Sequence, residues 1–178
     1  MDQTPTTPHS TLDPGTEAKL PNLSEALKAG GVHYGISGGS KGTVFQSMID
    51  ALKLPEDVDK AFLLKVLLAR EELASTGVGD GIAIPHVRNP ALLQIPESMV
   101  ALCFLEHPVD FTALDSKPVI CLFPVISNSV RSHLHLLSRI AYCLRDKQFK
   151  QTVLQCSPAD VIIREAERVE TNIKPRAT

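Results

Sequence analysis

Apolar residues recur at helical spacing along some stretches of the chain and in short solid runs along others. Val44, Met48, Ala51 and Leu52 fall at i, i+4, i+7 and i+8, which predicts an amphipathic helix over 41–53 that Pro55 stops. From Glu56 to Leu73 a stripe of Val58, Phe62, Val66 and Ala69, widened by Ala61, Leu64 and Leu68, predicts a long central helix with Arg70 in its last turns. Val130–Leu144 returns to the helical period through His133, Leu137, Ile140 and Leu144, and Pro158 opens a last helix over 158–169. Near the start, a helical turn over Leu23–Leu27 ends at Gly30-Gly31, and Val32–Ile36 reads as an extended piece before the Gly38-Gly39 turn. Val100–Leu105 and Pro118–Val125 are β-rich apolar runs too short for a typical helix, and Ile82–Ile84 is a third strand. Helices and strands alternate. The expectation is an α/β fold, an α/β/α sandwich in which a single mixed β-sheet is flanked by helices on both faces.

Composition narrows the class. The 178 residues suit one domain with an appendage, and a 43% hydrophobic fraction is enough for a core. Residues 1–20, rich in Thr and Pro and containing His9, read as a flexible tail; 21–171 as the domain; and 172–178 as a flexible C-terminus. Eighteen basic against twenty acidic side chains leave a net charge of −2, and six Phe, two Tyr and no Trp offer little for stacking on bases, so a nucleic-acid binder is not expected. No apolar run reaches the roughly 18 residues of a membrane span, and the polar stretch Met1–Pro14 is no signal peptide. Cys103, Cys121, Cys143 and Cys156 form no CxxC pair and three lie inside apolar runs, which points to buried reduced thiols in a cytoplasmic protein rather than a disulfide framework or zinc site.

The chemistry concentrates between Ala69 and His86. A helix ends near Ala74, the hydroxyl residues Ser75 and Thr76 follow, and Gly77, Gly79 and Gly81 then occupy alternate positions, a pattern that permits positive φ and close approach of backbone N–H groups to an anion. Ile82-Ala83-Ile84 continues as a strand, and Pro85 ends its hydrogen bonding and projects His86 at the edge. Two readings stay open on these residues alone: a site that exchanges an anionic group, and a glycine turn leading to an ordinary surface histidine. Among the other candidates, His133 and His135 are two residues apart on a helix, about 200° around its axis, so a metal chelate is not expected: one faces the site and the other packs or meets solvent. His107 reads as a solvated loop residue after a strand, His33 as structural or surface, Asp80 and Asp115 as turn formers, and Glu71-Glu72 as part of a solvated helix face. No GxxxxGK[ST] motif occurs, so no nucleotide is expected.

The run STGVGDGIAIPH closely resembles the active-site motif of the fructose/mannitol-type enzyme IIA components of the bacterial sugar phosphotransferase system, a group that includes the nitrogen-regulatory enzyme IIA proteins. The resemblance continues through Pro108–Phe111, Ala113–Val119 and Ser132–Ser138 and spans roughly Lys41 to Val169. It implies that His86 is the phosphorylated nucleophile, that His133 is the second active-site histidine stabilising the phosphoryl group, and that Arg70 supplies charge there. Ser75, Thr76, Gly77, Gly79 and Gly81 would add neutral donors. Relatives commonly carry Gly directly after the phosphorylated histidine, whereas this chain has Val87-Arg88, with Arg88 read as a solvated arginine or as extra positive charge. The implied donor is an HPr-like phosphocarrier, and the implied recipient is an enzyme IIB cysteine or a regulated target protein. None of the four cysteines here has a IIB-like setting, and no cofactor, metal, nucleic acid or membrane insertion is implied. The stand-alone domain and the HLHLLS segment lie nearest the nitrogen-regulatory branch. A sugar-uptake enzyme IIA and a sensor domain that takes no phosphate are the alternatives.

Overall fold

The computed structural model describes residues 19–173. The expected tails over 1–20 and 172–178, His9 with them, fall almost wholly outside these residues. The elements are α1 (Leu23–Gly30), β1 (Val32–Ile36), α2 (Lys41–Ala51), α3 (Lys60–Leu73), β2 (Gly77–Gly79), β3 (Ile82–Ala83), a 3-10 turn (Pro90–Leu93), β4 (Met99–Val100), β5 (Leu102–Val109), β6 (Val119–Leu122), β7 (Val125–Ile126), α4 (Val130–Arg145), α5 (Lys147–Leu154) and α6 (Ala159–Thr171).

Five strands form a sheet in the order β1-β5-β6-β3-β2. β1 runs parallel to β5 and β3 parallel to β6, while β5/β6 and β2/β3 are antiparallel, so the sheet is mixed. The short β4/β7 pair prolongs the β5/β6 ladder. Val100 faces Val125 in the register that sets Cys103 opposite Leu122, and between them the Ala101 N–H donates to the Pro124 carbonyl at 3.2 Å. Pro124 has no N–H to return, which is where the ladder loses a rung.

Strand side chains alternate between two cores, as a two-sided sheet requires. Ala83, Cys103, Val119 and Leu122 pack with Val44, Phe45, Met48 and Ile49 of α2 and Leu63 and Leu67 of α3. Their neighbours Ile82, Leu102, Phe104 and Cys121 pack on the opposite face with α1, α4, α5 and α6 through residues such as Leu27, Ile140, Phe149 and Ile162. The sandwich with helices on both faces is present.

Several details depart from the sequence reading. α3 starts at Lys60 instead of Glu56, because the Asp59 carboxylate accepts the Phe62 N–H at 2.9 Å and caps it there. β5 runs on to Val109, so His107 is an exposed strand residue and not a loop one; the register shift between Phe104 and Val109 accompanies the exposure of Glu106–Pro108. α5 was not expected. It packs Phe149 and Val153 inward and is capped by Asp146, whose carboxylate accepts from Phe149 N–H and pairs with Arg168 at 2.6 Å. Cys103, Cys121 and Cys143 are buried free thiols, but Cys156 is exposed.

Two contacts tie the ends of the described chain together. The buried Glu170 carboxylate accepts from the backbone N–H of Leu23 at 2.7 Å and of Ser24 at 3.1 Å, as well as from the Ser24 hydroxyl, so the last helix supplies the anion at the N-terminus of the first. At the other end of α1, Gly30 lies against the β4–β5 backbone: a Cβ there would stand 2.3 Å from the Val100 carbonyl oxygen. Backbone cannot rotate away, so Gly30→Ala is expected to lower stability by about 1–3 kcal/mol, read as a reduced urea midpoint. An unchanged midpoint would show that α1 is free to lift off the sheet.

Candidate active site

The site grows from the C-terminal end of β3. Ala83 and Pro85 carbonyls accept from Phe123 and Val125 N–H at 2.8 and 2.9 Å, and His86 bridges Val125 in the same parallel register. Pro85 gives up only a donor and keeps the strand aligned, so His86 is delivered at a fixed height beside β7. The chain after β7 turns at Ser129, whose hydroxyl accepts the Ser132 N–H at 3.2 Å and starts α4. His133 stands in the first turn of that helix. Its ring lies 5.3 Å from the ring of His86, inclined by 50°.

The two imidazoles differ. His86 is half-buried and donates Nδ1–H to the carbonyl of Ile84 at 2.7 Å; a carbonyl only accepts, so Nδ1 carries the proton and Nε2 keeps its lone pair. Burial lowers its pKa below the ordinary 6.5, the Ile84 bond and the Glu71 charge oppose that, and Arg70 adds to it, so the ring is neutral at pH 7. His133 is only 6% exposed, and its Nδ1 is buried without a hydrogen-bond partner. Burial, then the electrostatic influence of the neighbouring His86 and of Arg70, pushes its pKa down to about 4. Arg70 is close enough to act on both rings, and its own Nη1–H donates to the Ala74 carbonyl at 2.8 Å.

Ser75, Thr76 and Gly77 lie beside this arrangement, but their donors are spent within the protein. The Ser75 hydroxyl donates to the Phe111 carbonyl at 2.6 Å and accepts the Gly77 N–H at 3.0 Å. Thr76 donates both its N–H and its hydroxyl to the Glu71 carboxylate, at 2.9 and 2.6 Å. The expected neutral donors therefore act as braces for the loop. Gly77 is required by packing, since a Cβ there would sit 2.7 Å from that of Ala113.

Gly79 and Gly81 are not brought to His86. They occupy the tip of the β2–β3 hairpin, with Gly81 beside Ile120 while His86 is beside Val125, five residues further along the same strand edge. The positive φ of Gly79, Asp80 and Gly81 (98°, 53° and 79°) makes the tight turn. Asp80 is held there by Lys117 and Lys150 at 3.0 and 2.9 Å, which keep its carboxyl down to about 2, and Asp115 accepts the Asp80 N–H at 2.7 Å. Both acids are turn residues, as their local sequence suggested.

Of the other histidines, His135 points away from His133 and contacts the Pro21 carbonyl at 3.1 Å, and His33 donates Nε2–H to Gly30 at 2.8 Å. Val87 is buried in the α2/α3 core and Arg88 is exposed. Glu71 overturns its expectation. Its side chain is 3% exposed and, besides Thr76, pairs with Lys41 at 2.9 Å. Lys41 in turn lies 5.5 Å above the Phe111 ring. Helical periodicity gives no hint of this, because Glu71 precedes the exposed Glu72 in an unremarkable charged pair.

The model of one family, described as phosphoenolpyruvate-dependent sugar phosphotransferase system, EIIA 2, matches residues 25–167. The chain belongs to this family. Among other EIIA 2 relatives it is similar to the nitrogen regulatory protein of Pseudomonas aeruginosa, with 41% identity over 126 residues covering 68% of this chain and 79% of that one. It also resembles the crystal structure of nitrogen regulatory protein IIA-Ntr from Neisseria meningitidis at 29% identity, TM-score 0.69, covering 81% of this chain and 98% of that one. A fold likeness at 14% identity and TM-score 0.61, over 77% and 94% of the two chains, links it to Escherichia coli enzyme IIA mannitol solved in complex with phosphorylated enzyme IIB. The span matched to the EIIA 2 family takes in Arg70, Glu71, His86 and His133. Among its described residues no helix is long and apolar enough to cross a membrane.

Proposed function

We propose that His86 Nε2 accepts a phosphoryl group from the phosphohistidine of an HPr-like carrier. The observation that supports this most directly is the Nδ1–H bond to Ile84, which leaves Nε2 as the lone-pair nitrogen in the site that His133 shares. The Nε2 lone pair forms the new P–N bond as the bond from phosphorus to the donor imidazole breaks, the donor nitrogen keeping that electron pair. The Nδ1 proton stays on the ring, still donated to the Ile84 carbonyl. No deprotonation is needed before attack, because the lowered pKa keeps His86 neutral. Charge on the transferring group is spread over its equatorial oxygens, where Arg70 supplies permanent positive charge and His133 a ring N–H.

The onward recipient distinguishes two uses of this site. Relatives named nitrogen regulatory protein favour a regulatory role, in which a charge near −2 on His86 alters what the surrounding face binds. Passage to an enzyme IIB cysteine is the alternative, favoured by the mannitol likeness.

Incubation with phosphoenolpyruvate, enzyme I and an HPr-type carrier tests the proposal. The expected result is an acid-labile mass gain of one phosphoryl group, and His133→Ala is expected to accept it about 10²-fold more slowly. A wild-type protein left unmodified while the carrier is phosphorylated would overturn it.

A further inference from the structure

We infer that Glu71 is a positioning residue for His86, acting through Thr76 and Ile84. The inference rests on the reading of His86 as the phosphoryl acceptor. A buried carboxylate is costly unless donors surround it, and Glu71 has three: Lys41 Nζ on one oxygen, and the Thr76 N–H and hydroxyl on the other. Both polar groups at the start of Thr76 are thereby fixed. The Thr76 carbonyl accepts the Ile84 N–H at 2.9 Å, and the Ile84 carbonyl accepts His86 Nδ1–H at 2.7 Å.

The result is a series of hydrogen bonds that links four residues from carboxylate to imidazole: Glu71, Thr76, Ile84 and His86. The N–H and carbonyl of Thr76 belong to different peptide units, as do those of Ile84, so the linkage is one of position: with Thr76 anchored, the Ile84 carbonyl is held in place as the acceptor at the far end. That acceptor decides which nitrogen of His86 holds the proton and the direction in which Nε2 points. The charged groups acting on the ring agree with this. Arg70 opposes a proton on His86, Glu71 favours one, and the neighbouring His133 is neutral above about pH 4. Glu71 therefore keeps the nucleophile more basic than burial alone would leave it. It does not hold a phosphoryl oxygen, since a carboxylate, like that oxygen, only accepts hydrogen bonds.

The experiment uses the full chain labelled with ¹⁵N-histidine, comparing wild type, Glu71→Gln, Glu71→Asp and Thr76→Val. The wild-type His86 signals are expected to show the Nδ1–H tautomer. Glu71→Gln is expected to mix in the other tautomer, to move the His86 titration to lower pH, and to slow single-turnover acceptance from the phosphorylated carrier about 10-fold. Glu71→Asp restores part of each effect. A purely structural role would lower the melting temperature and leave tautomer and titration alone. A folded Glu71→Gln with wild-type titration and rate overturns the inference. If Glu71→Gln does not fold, Thr76→Val carries the test: it removes only the hydroxyl bond and is expected to shift the titration the same way by less, and an unshifted titration overturns the inference. Failure of the wild type to take phosphate defeats the proposed function instead, and the tautomer and titration measurements still decide the role of Glu71.

Discussion

His86→Ala is expected to leave the protein folded and unable to take up a phosphoryl group. The side chain is half-exposed and makes one hydrogen bond, so the loss of stability stays near 1 kcal/mol. The loss of acceptance is complete, because no nearby nitrogen can replace Nε2. His133, whose ring lies 5.3 Å away, is only 6% exposed, with its Nδ1 buried. Reach of the donor phosphorus to the nitrogen, within about 3–3.5 Å, is a condition of attack. Intact-mass measurement after incubation with the phosphorylated carrier reads the effect directly, and thermal melting reads the fold. A variant that still gains an acid-labile phosphoryl group would move the acceptor elsewhere.

A loss of stability in mild acid is the second large effect. His133 has a folded-state pKa of about 4 against 6.5 for an ordinary imidazole. Between these values the unfolded chain binds a proton that the folded chain refuses. Stability is therefore fully present above pH 6.5 and falls as pH drops towards 4. The gap corresponds to about 3 kcal/mol at roughly 1.4 kcal/mol per pH unit. His86 and His135, both lowered by burial first, change stability in the same direction. Urea unfolding at pH 7 and pH 4 of wild type and His133→Gln isolates the contribution, since Gln does not titrate. The difference between the two pH values should shrink by about 3 kcal/mol in the variant. An equal difference in both proteins would mean that His133 can be charged in place.

Much of this architecture could be read from the chain. Ile82-Ala83-Ile84 looked like a strand because it is apolar and bounded by Gly and Pro, and the two-faced burial of Ile82 and Ala83 is what such a run requires. The resemblance of residues 75–86 singled out His86, and the helical period around His133 separated it from His135. What stayed hidden depends on contacts between residues far apart in sequence, or is masked by a charged side chain. The Glu71 pairing with Lys41 spans 30 positions and looks, in sequence, like any helix-surface acid. The Ser75 hydroxyl is drawn off by Phe111, 36 positions away, so local composition overstated the donors available to a ligand. α5 has only Phe149, Val153 and Leu154 as a short apolar signal, too little to separate it from a connection. His107 stayed in the strand because β5 tolerates an irregular register beside β6.

The Glu170 clasp on α1 also bears on the order in which the molecule is assembled. Its partners are 147 and 146 positions earlier in the chain. On a ribosome, α1 leaves the exit tunnel long before residue 170 is made, and until then its first N–H groups face water in place of a carboxylate. The N-terminal helix can dock early, but it is locked late. Completion of the sandwich is thus reported by its first helix, a property that hydrogen exchange at Leu23 and Ser24 would follow during synthesis or refolding.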